Sequence, residues 1–227
     1  MNPMPALHDT SDAGLSIQWP LPPHDPEESP NGQAVRLGVM ASGNGSNFEA
    51  LVTACREGRL HGEVSLLVVN KPQCGALQRA ERLGVPCLLL DHRLHDSRES
   101  LDHALITAFR QVRADLVVMA GWMRIVTPTL IAAFPNRLVN IHPSLLPSFR
   151  GIDAVGQALA AGVTLSGCSV HLVSEEVDAG RILVQAAVPV LASDSRERLA
   201  ARIQRQEHRL LPLGVRLAAR ALGIEGQ

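Results

Sequence analysis

Asn140 and His142 are the residues whose types and spacing best suit chemistry at a carbonyl group. The mainly apolar run 137–141 predicts a strand. Asn140 lies near the end of this run, and His142 directly follows it. Residues two apart on a strand point to the same side, so both side chains can face one crevice. An amide can donate to the oxyanion that forms at a carbonyl carbon while an imidazole moves a proton. The alternative interpretation is a polar strand end with a hydrogen-bonded histidine.

Asp178 lies in the loop between two strand-like runs, 169–173 and 181–188. This spacing predicts a hairpin whose connecting loop is long enough to carry function. A carboxylate close to His142 would favour the charged form of the imidazole. We therefore consider Asp178 a candidate partner of His142, whereas His171, inside the first of these runs, is interpreted as a structural residue.

A glycine-rich segment, Ser42–Asn47, joins a predicted strand to a predicted helix. Glycines let the backbone turn tightly, and free amides at a helix start point toward an anion. A dinucleotide site fits poorly, because its fingerprint needs a third glycine where Phe48 stands. It also needs an acidic residue near the end of the next strand, which instead ends at Asn70-Lys71. The segment therefore predicts a site for a phosphate monoester, with an ordinary strand-to-helix turn as the alternative.

A polar face is predicted on the last helix. Gln204, Glu207 and His208 are spaced i, i+3 and i+4, so their side chains share one side of the helix. These groups are either solvated or available to bind sugar hydroxyls, and the spacing leaves both interpretations open.

The elements that must position these side chains alternate along the chain from about Arg36. Apolar runs, which predict buried strands, are followed by amphipathic stretches, which predict helices. Pro212 is expected to kink or divide the last helix. The predicted fold is α/β, an open and mostly parallel twisted sheet with flanking helices and a C-terminal antiparallel hairpin. The predicted strands before the hairpin are 37–41, 64–69, 87–90, 116–120 and 137–141, and the predicted helices begin near Asn47, Gly75, Ser97, Pro128 and Ser195.

Composition limits the classes of function. The chain is 46% hydrophobic and only 3% aromatic, so its core must be aliphatic, and a formal net charge of −1 disfavours nucleic-acid binding. No apolar stretch reaches the roughly 18 residues that span a bilayer, and no signal peptide is evident. We therefore expect a cytoplasmic protein that acts on small molecules, with no nucleic-acid or membrane partner. The sequence leaves its oligomeric state open.

Cysteine and proline patterns complete this description. Cys55, Cys74, Cys87 and Cys168 form no CxxC pair and no metal-ligand spacing, which predicts reduced thiols and no metal site. Residues 1–34 are rich in proline and lack hydrophobic periodicity, so we expect a disordered extension that is dispensable for activity. Residues 35–227 are then the functional domain.

At the level of whole motifs, the chain resembles the glycinamide ribonucleotide formyltransferase family from about Arg36 to Pro212. The motifs that carry this resemblance are SGNGSN at 42–47, MAGWMRI at 119–125, NIHPSLLP at 140–147, EEVDAG at 175–180 and QRQEH at 204–208. Variants of NIHPSLLP also occur in other formyl-folate enzymes. The resemblance implies transfer of a formyl group from 10-formyltetrahydrofolate, a co-substrate, to the amine of glycinamide ribonucleotide in purine synthesis. It implies neither a metal nor a covalent enzyme intermediate.

The resemblance also implies roles for individual residues. Asn140 and His142 would stabilise the tetrahedral intermediate, and Asp178 would tune His142 and order water. The ribonucleotide would contact Gly45, Ser46, Asn47, Gln204, Arg205, Gln206 and Glu207. The folate would contact Arg98, Met123, Arg124, Ile125, Val126, Asn140, Ser174, Glu175, Glu176, Val177 and Asp178.

The chain departs from the family pattern in the segment 149–155, which lacks the histidine often found in the family's mobile loop. Other formyl-folate enzymes are the competing interpretation. A formyltetrahydrofolate hydrolase would carry an N-terminal regulatory domain, and a methionyl-tRNA formyltransferase would carry an extra C-terminal domain, for which we expect no room. A non-catalytic nucleotide-binding module would leave Asn140, His142 and Asp178 without a function.

Overall fold

The structure, a computed structural model, describes residues 17–19 and 34–224. The strands are β1 (Ile17–Trp19), β2 (Val35–Ala41), β3 (Gly62–Val69), β4 (Cys87–Leu89), β5 (Leu116–Met119), β6 (Leu138–His142), β7 (Leu165–Leu172) and β8 (Ile182–Pro189). The α-helices are α1 (Ser46–Arg56), α2 (Gly75–Leu83), α3 (Arg98–Gln111), α4 (Pro128–Ala133), α5 (Ala154–Ala160) and α6 (Arg196–Ala221). Every strand and helix predicted from the sequence is therefore present, with ends that differ by a few residues.

One sheet joins these strands in the order β1-β8-β7-β6-β5-β2-β3-β4. The strands from β6 to β4 are parallel, whereas β7 and β8 form the predicted antiparallel hairpin and β7 also pairs antiparallel with β6. The predicted α/β fold is confirmed. Because β2, β5 and β6 are parallel neighbours, the loops that follow them meet at one edge of the sheet.

Helices cover both faces of the sheet, and the side chains of each strand alternate between the two layers. On β2, Val39 packs in the cluster that contains Leu51 of α1 and Leu210 of α6. The next residue, Met40, packs in the opposite cluster with Phe109 of α3. Both clusters are built mainly from aliphatic side chains, as the composition predicted.

Three features differ from the sequence interpretation. Ile17–Trp19, inside the segment predicted to be a disordered extension, forms an edge strand antiparallel to β8, and the rest of residues 1–33 lies outside the described residues. Helix α5 was not predicted. Helix α6 runs without a break through Pro212, although this residue cannot donate the usual hydrogen bond to the carbonyl of His208. Packing of α6 against the sheet offsets the lost bond.

Among the helices that the structure describes, none combines the length and the apolar character needed to cross a bilayer. Residues 17–19 and 34–224 also hold no group of three or more His, Cys, Asp or Glu side chains arranged around a common metal position.

The close approach of α6 to β7 depends on Gly214. A Cβ atom built at this position would lie 2.4 Å from Cγ1 of Val170, which is fully buried on β7. Carbon atoms in contact are normally about 3.5–4.0 Å apart. Any side chain at position 214 would therefore push the helix away from the sheet.

We expect Gly214→Ala to lower the free energy of unfolding by about 1–2 kcal/mol, because overpacking outweighs the better helix propensity of alanine. Val170→Ala removes the methyl carbons that would lie 2.4 and 3.2 Å from the new Cβ and leaves the Cβ atom of residue 170 at 2.7 Å. Because only part of the overlap is relieved, the double variant should lose somewhat less stability than the two single variants added together. Urea unfolding of the four proteins measures both effects. A Gly214→Ala protein at least as stable as the parent would contradict this account.

Candidate active site

Asn140 and His142 lie on β6 where its carboxyl end borders a cleft of about 730 Å³. Open α/β sheets bind ligands at this edge, outside the carboxyl ends of the strands. Both side chains line the cleft, and His142 is buried. The arrangement predicted from their two-residue spacing is thus present in the structure.

The imidazole of His142 lies between two oxygen atoms. Its Nδ1 is 3.3 Å from Oδ2 of Asp178, and its Nε2 is 2.9 Å from the carbonyl oxygen of Phe149. Both neighbours accept hydrogen bonds and donate none. The imidazolium, which carries a proton on each nitrogen, fits these neighbours best. The surroundings of His142 therefore suit holding a proton that can later be transferred.

Asp178 connects several groups of the site through one carboxylate. Its Oδ2 accepts a hydrogen bond from the backbone N–H of Gly151 at 2.9 Å, and its Oδ1 accepts one from Nδ2 of Asn140 at 3.3 Å. Burial raises the pKa of Asp178, but the contacts with His171, Gly151 and His142 outweigh burial and leave this pKa below its usual value. Asp178 is therefore a carboxylate at neutral pH.

His171 belongs to the same cluster, although its sequence position suggested only a structural residue. It lies directly opposite Asn140 in the β6–β7 pairing and is buried. Its Nδ1 is 2.8 Å from the carbonyl oxygen of Leu172. Its Nε2 lies 3.1 Å from Nδ2 of Asn140 and 3.5 Å from Oδ1 of Asp178. The antiparallel register that creates this contact could not be obtained from spacing along the chain.

The residues that the resemblance assigns to the folate surround this cleft, with one exception. Glu176 does not line it and instead forms an ion pair with Arg150, whose Nη1 is 2.5 Å from Oε1. The assigned residues that line the cleft are Arg98, Met123, Arg124, Ile125, Val126, Asn140, Ser174, Glu175, Val177 and Asp178.

Apolar side chains complete the walls of the cleft. Trp122 and Val173 line it beside the assigned residues, and Ile152 and Val155 line it from the segment 149–155. Trp122 falls within the MAGWMRI motif. The sequence assigned no binding role to the segment 149–155, whose only noted feature was the missing histidine. Apolar walls with a few polar groups are typical of sites for large organic ligands.

The glycine-rich segment forms the amino end of α1. Gly45 is the N-cap residue with φ 78°, and a Cβ there would lie 2.7 Å from Cα of Ala76. Because Gly45 has no side chain, the first-turn amides receive no side-chain cap. Arg79 fixes the segment from outside, since its Nε donates to the carbonyl oxygen of Asn44 at 2.8 Å. These features suit binding of an anion at the helix terminus.

The polar face of α6 meets this helix terminus. Nε2 of Gln204 donates to Oγ of Ser46 at 3.1 Å, and Nδ2 of Asn47 donates to Oε2 of Glu207 at 2.9 Å. Glu207 is buried, so for this residue the structure excludes a solvated helix face. Burial raises the pKa of Glu207, and the hydrogen bond from Asn47 only partly opposes this shift.

The other residues assigned to the ribonucleotide differ in their burial and in whether they line a cavity. Gln206 is buried and, with Ser46 and Gln204, lines a second, open cavity of about 1100 Å³. Arg205 is exposed and is absent from the lining of both cavities. Oδ1 of Asn47 is buried and has no hydrogen-bond partner among the described residues, and neither Asn47 nor Glu207 lines either cavity.

Comparisons with known proteins agree with this geometry. A family model described as formyl transferase matches residues 35–215. The phosphoribosylglycinamide formyltransferase of Bacillus subtilis is 41% identical over 177 residues, which cover 78% of this chain and 91% of that protein. The human trifunctional purine biosynthetic protein adenosine-3 is 40% identical over 184 residues, 81% of this chain but only 18% of that protein.

Solved structures give the same result. The crystal structure of glycinamide ribonucleotide transformylase 1 from Symbiobacterium toebii has a TM-score of 0.82 and 45% sequence identity, and the match covers 84% of this chain and 90% of that one. The crystal structure of phosphoribosylglycinamide formyltransferase from Bacillus halodurans has a TM-score of 0.80 and 38% sequence identity, and the match covers 85% of this chain and 100% of that one. Sequence and fold together show that the chain belongs to the formyl transferase family, with phosphoribosylglycinamide formyltransferases among its relatives.

Proposed function

We propose that this protein transfers the formyl group of 10-formyltetrahydrofolate to the amine of glycinamide ribonucleotide in purine biosynthesis. The observation that carries the proposal is the single carboxylate of Asp178, which contacts both His142 and Asn140 at the edge of an apolar cleft. The relatives named for this reaction support the choice of substrates. The free thiols of the described cysteines fit a reducing compartment such as the cytoplasm.

The reaction needs stabilisation of negative charge and movement of protons. The amine nitrogen forms a bond to the formyl carbon, and the carbonyl electrons move to oxygen to give a tetrahedral intermediate. Collapse of this intermediate breaks the bond to N10 of the folate, which takes up a proton, while the amine nitrogen loses one. Asn140 donates a hydrogen bond to the developing oxyanion, and His142 supplies the mobile proton.

Asp178 keeps His142 ready for this step. A partly buried carboxylate beside Nδ1 stabilises the positive charge of the imidazolium and fixes the ring orientation. In the structure the other ring nitrogen, Nε2, contacts the carbonyl oxygen of Phe149. Transfer of a proton from Nε2 requires this hydrogen bond to break, so the segment around Phe149 must shift when His142 acts.

The two substrates occupy separate sites that meet at the carboxyl ends of β2 and β6. The apolar cleft, with Arg98 and Arg124 at its border, takes the folate, whose rings pack against apolar walls and whose carboxylates suit guanidinium groups. The amino end of α1 takes the phosphate of the ribonucleotide. Asn47 and Glu207 lie beside it and are hydrogen-bonded to each other, and the rest of the ribonucleotide would contact them only after a shift of neighbouring side chains, because both are buried outside the two cavities.

A formyl-transfer assay with three acceptors tests the proposed function. Glycinamide ribonucleotide should react, and the same acceptor without its phosphate should show a kcat/KM lower by at least about tenfold, because remote binding energy is lost. Water alone should give little release of formate. Hydrolysis as fast as transfer would show a formyltetrahydrofolate hydrolase instead, and equal kcat/KM with and without phosphate would remove the phosphate site.

Asp178→Asn should lower kcat by about 10² or more in a folded protein. Asparagine retains an acceptor for the N–H of Gly151 but removes the negative charge beside His142. His142→Ala should lower kcat at least as much, and Asp115→Asn, at the opposite edge of the sheet, serves as the control. Near-normal turnover of folded Asp178→Asn would remove this carboxylate from the mechanism.

The same variant has a defined effect on stability. Because the pKa of Asp178 in the folded protein lies below its unfolded value of about 3.9, the carboxylate stabilises the fold above that pH. This contribution is lost as the pH falls through the lower, folded pKa. The difference in Tm between the parent and Asp178→Asn should therefore be largest near neutral pH and shrink in acid.

Glu207→Gln should separate stability from activity. The pKa of Glu207 is raised in the folded protein, so ionised Glu207 lowers stability as the pH rises above its unfolded value of about 4.3. Glutamine keeps an acceptor for Asn47 and removes this cost, so Tm at pH 7–8 should rise, whereas kcat/KM for the ribonucleotide should fall. Melting curves and initial rates measured on one preparation check both signs, and a lower Tm at pH 8 would contradict the argument.

A further inference from the structure

One wall of the folate cleft is a loop, residues 121–127, that connects β5 to α4. Met123, Arg124, Ile125 and Val126 line the cleft from this loop, and the first three are exposed. Within the described part of the chain, no hydrogen bond holds the backbone of residues 124–126. The position of this wall therefore depends on how the loop is held at its two ends.

Ser42 holds the first end. This buried residue directly follows β2, and its backbone N–H donates to the carbonyl oxygen of Gly121 at 3.1 Å. Its hydroxyl Oγ accepts a hydrogen bond from the backbone N–H of Met123 at 2.8 Å. The residue that begins the glycine-rich segment thus also fixes the start of the cleft wall.

Asp102 holds the other end. It lies on α3, its side chain is buried, and its Oδ2 accepts a hydrogen bond from the backbone N–H of Thr127 at 2.7 Å. Thr127 in turn caps α4, since its Oγ1 accepts from the N–H of Thr129. The loop is therefore fixed between two buried side-chain contacts, one on β2 and one on α3.

The same helix carries a second part of the cleft. Arg98, the first residue of α3, lines the cleft and stands four residues before Asp102, so the two side chains share one side of the helix. The hydrogen bond between Asp102 and Thr127 thereby sets the distance between Arg98 on the helix and Arg124 on the loop.

Burying the carboxylate of Asp102 between α3 and the loop costs free energy of desolvation, which a purely structural contact would not require. Burial raises the pKa of Asp102, and the hydrogen bonds from Thr127 only partly oppose this shift. A neutral acceptor would hold the N–H of Thr127 with less loss of solvation. The charged acceptor makes a shorter and stronger hydrogen bond than a neutral one, which improves the precision with which the loop is held.

We propose that Asp102 is a positioning residue for the formyl donor, acting with Ser42 to hold the loop 121–127 and to set its distance from Arg98. The inference rests on the proposed function, because the donor is taken to be the folate that occupies this cleft. Asp102 lines neither cavity, so its loss should weaken donor binding while leaving the amine acceptor and the proton-transfer groups in place.

The test compares Asp102→Ala, Asp102→Asn and Ser42→Ala with the parent in steady-state assays that vary each substrate separately. Asp102→Ala should raise KM for 10-formyltetrahydrofolate by about tenfold, because small misplacements of binding groups weaken affinity strongly. In the same variant, KM for glycinamide ribonucleotide should change by less than about twofold, because the groups that bind the acceptor are not displaced. Asp102→Asn retains an acceptor for Thr127 and should restore most of the donor affinity, and Ser42→Ala should raise the donor KM by a smaller factor.

Asp115→Ala is the matched control. Asp115 follows α3 at the opposite edge of the sheet, and its Oδ2 also accepts from a backbone N–H, that of Arg36, at 2.8 Å. This variant should lower Tm without changing either KM. Calorimetric titration with tetrahydrofolate gives a second readout that does not depend on turnover.

The outcomes separate the inference from the proposed function. A parent protein that neither transfers the formyl group nor binds tetrahydrofolate would overturn the proposed function. With an active parent, an unchanged donor KM in Asp102→Ala, or an equal rise in Asp115→Ala, would overturn the inference alone. If Asp102→Ala does not fold, Ser42→Ala decides the question, and an unchanged donor KM in that variant rejects the proposal.

Discussion

The arrangement of the site depends on one partly buried carboxylate. The side chain of Asp178 contacts the imidazole of His142, the amide of Asn140 and the backbone N–H of Gly151, and its Oδ1 lies 3.5 Å from Nε2 of His171. The first three groups come from a central strand and from the segment that follows it, whereas His171 lies on β7 and Asp178 in the hairpin loop. A carboxylate is suited to this position because it has enough acceptor sites for these neighbours. The backbone of Asp178 has φ 53°, a left-handed conformation that aspartate tolerates better than most residues.

Much of the fold was predictable because it follows from local patterns. Alternating apolar runs and amphipathic stretches gave the strands and helices, and the two-residue spacing of Asn140 and His142 gave their common direction. The contacts between distant segments were not predictable in this way. His171 meets Asn140 only through the antiparallel register of β6 and β7, and Phe149 meets His142 only through the path of the intervening loop. Helix α5 and strand β1 carry no strong local signal, because each is short and depends on tertiary packing.

The two proposed substrate sites share structural elements, so a displacement of one of these elements would change both sites. Ser42 directly follows β2, begins the phosphate-binding segment and also holds the wall of the cleft. Helix α6 reaches the start of α1 through Gln204 and Glu207, and its later part packs tightly on β7, the strand that carries His171. Residues that handle the ribonucleotide, the folate and the proton are therefore fixed to the same sheet. A shift of α6 would disturb all three.

The scarcity of aromatic residues gives the protein a simple optical spectrum. The chain has two tryptophans and no tyrosine. Trp122 is buried in the wall of the cleft, whereas Trp19 is 69% exposed on the edge strand β1. The emission of Trp122 should lie at shorter wavelength and be shielded from iodide, and that of Trp19 should lie at longer wavelength and be quenched. Intrinsic fluorescence can therefore distinguish events in the cleft from detachment of the edge strand, without any added label.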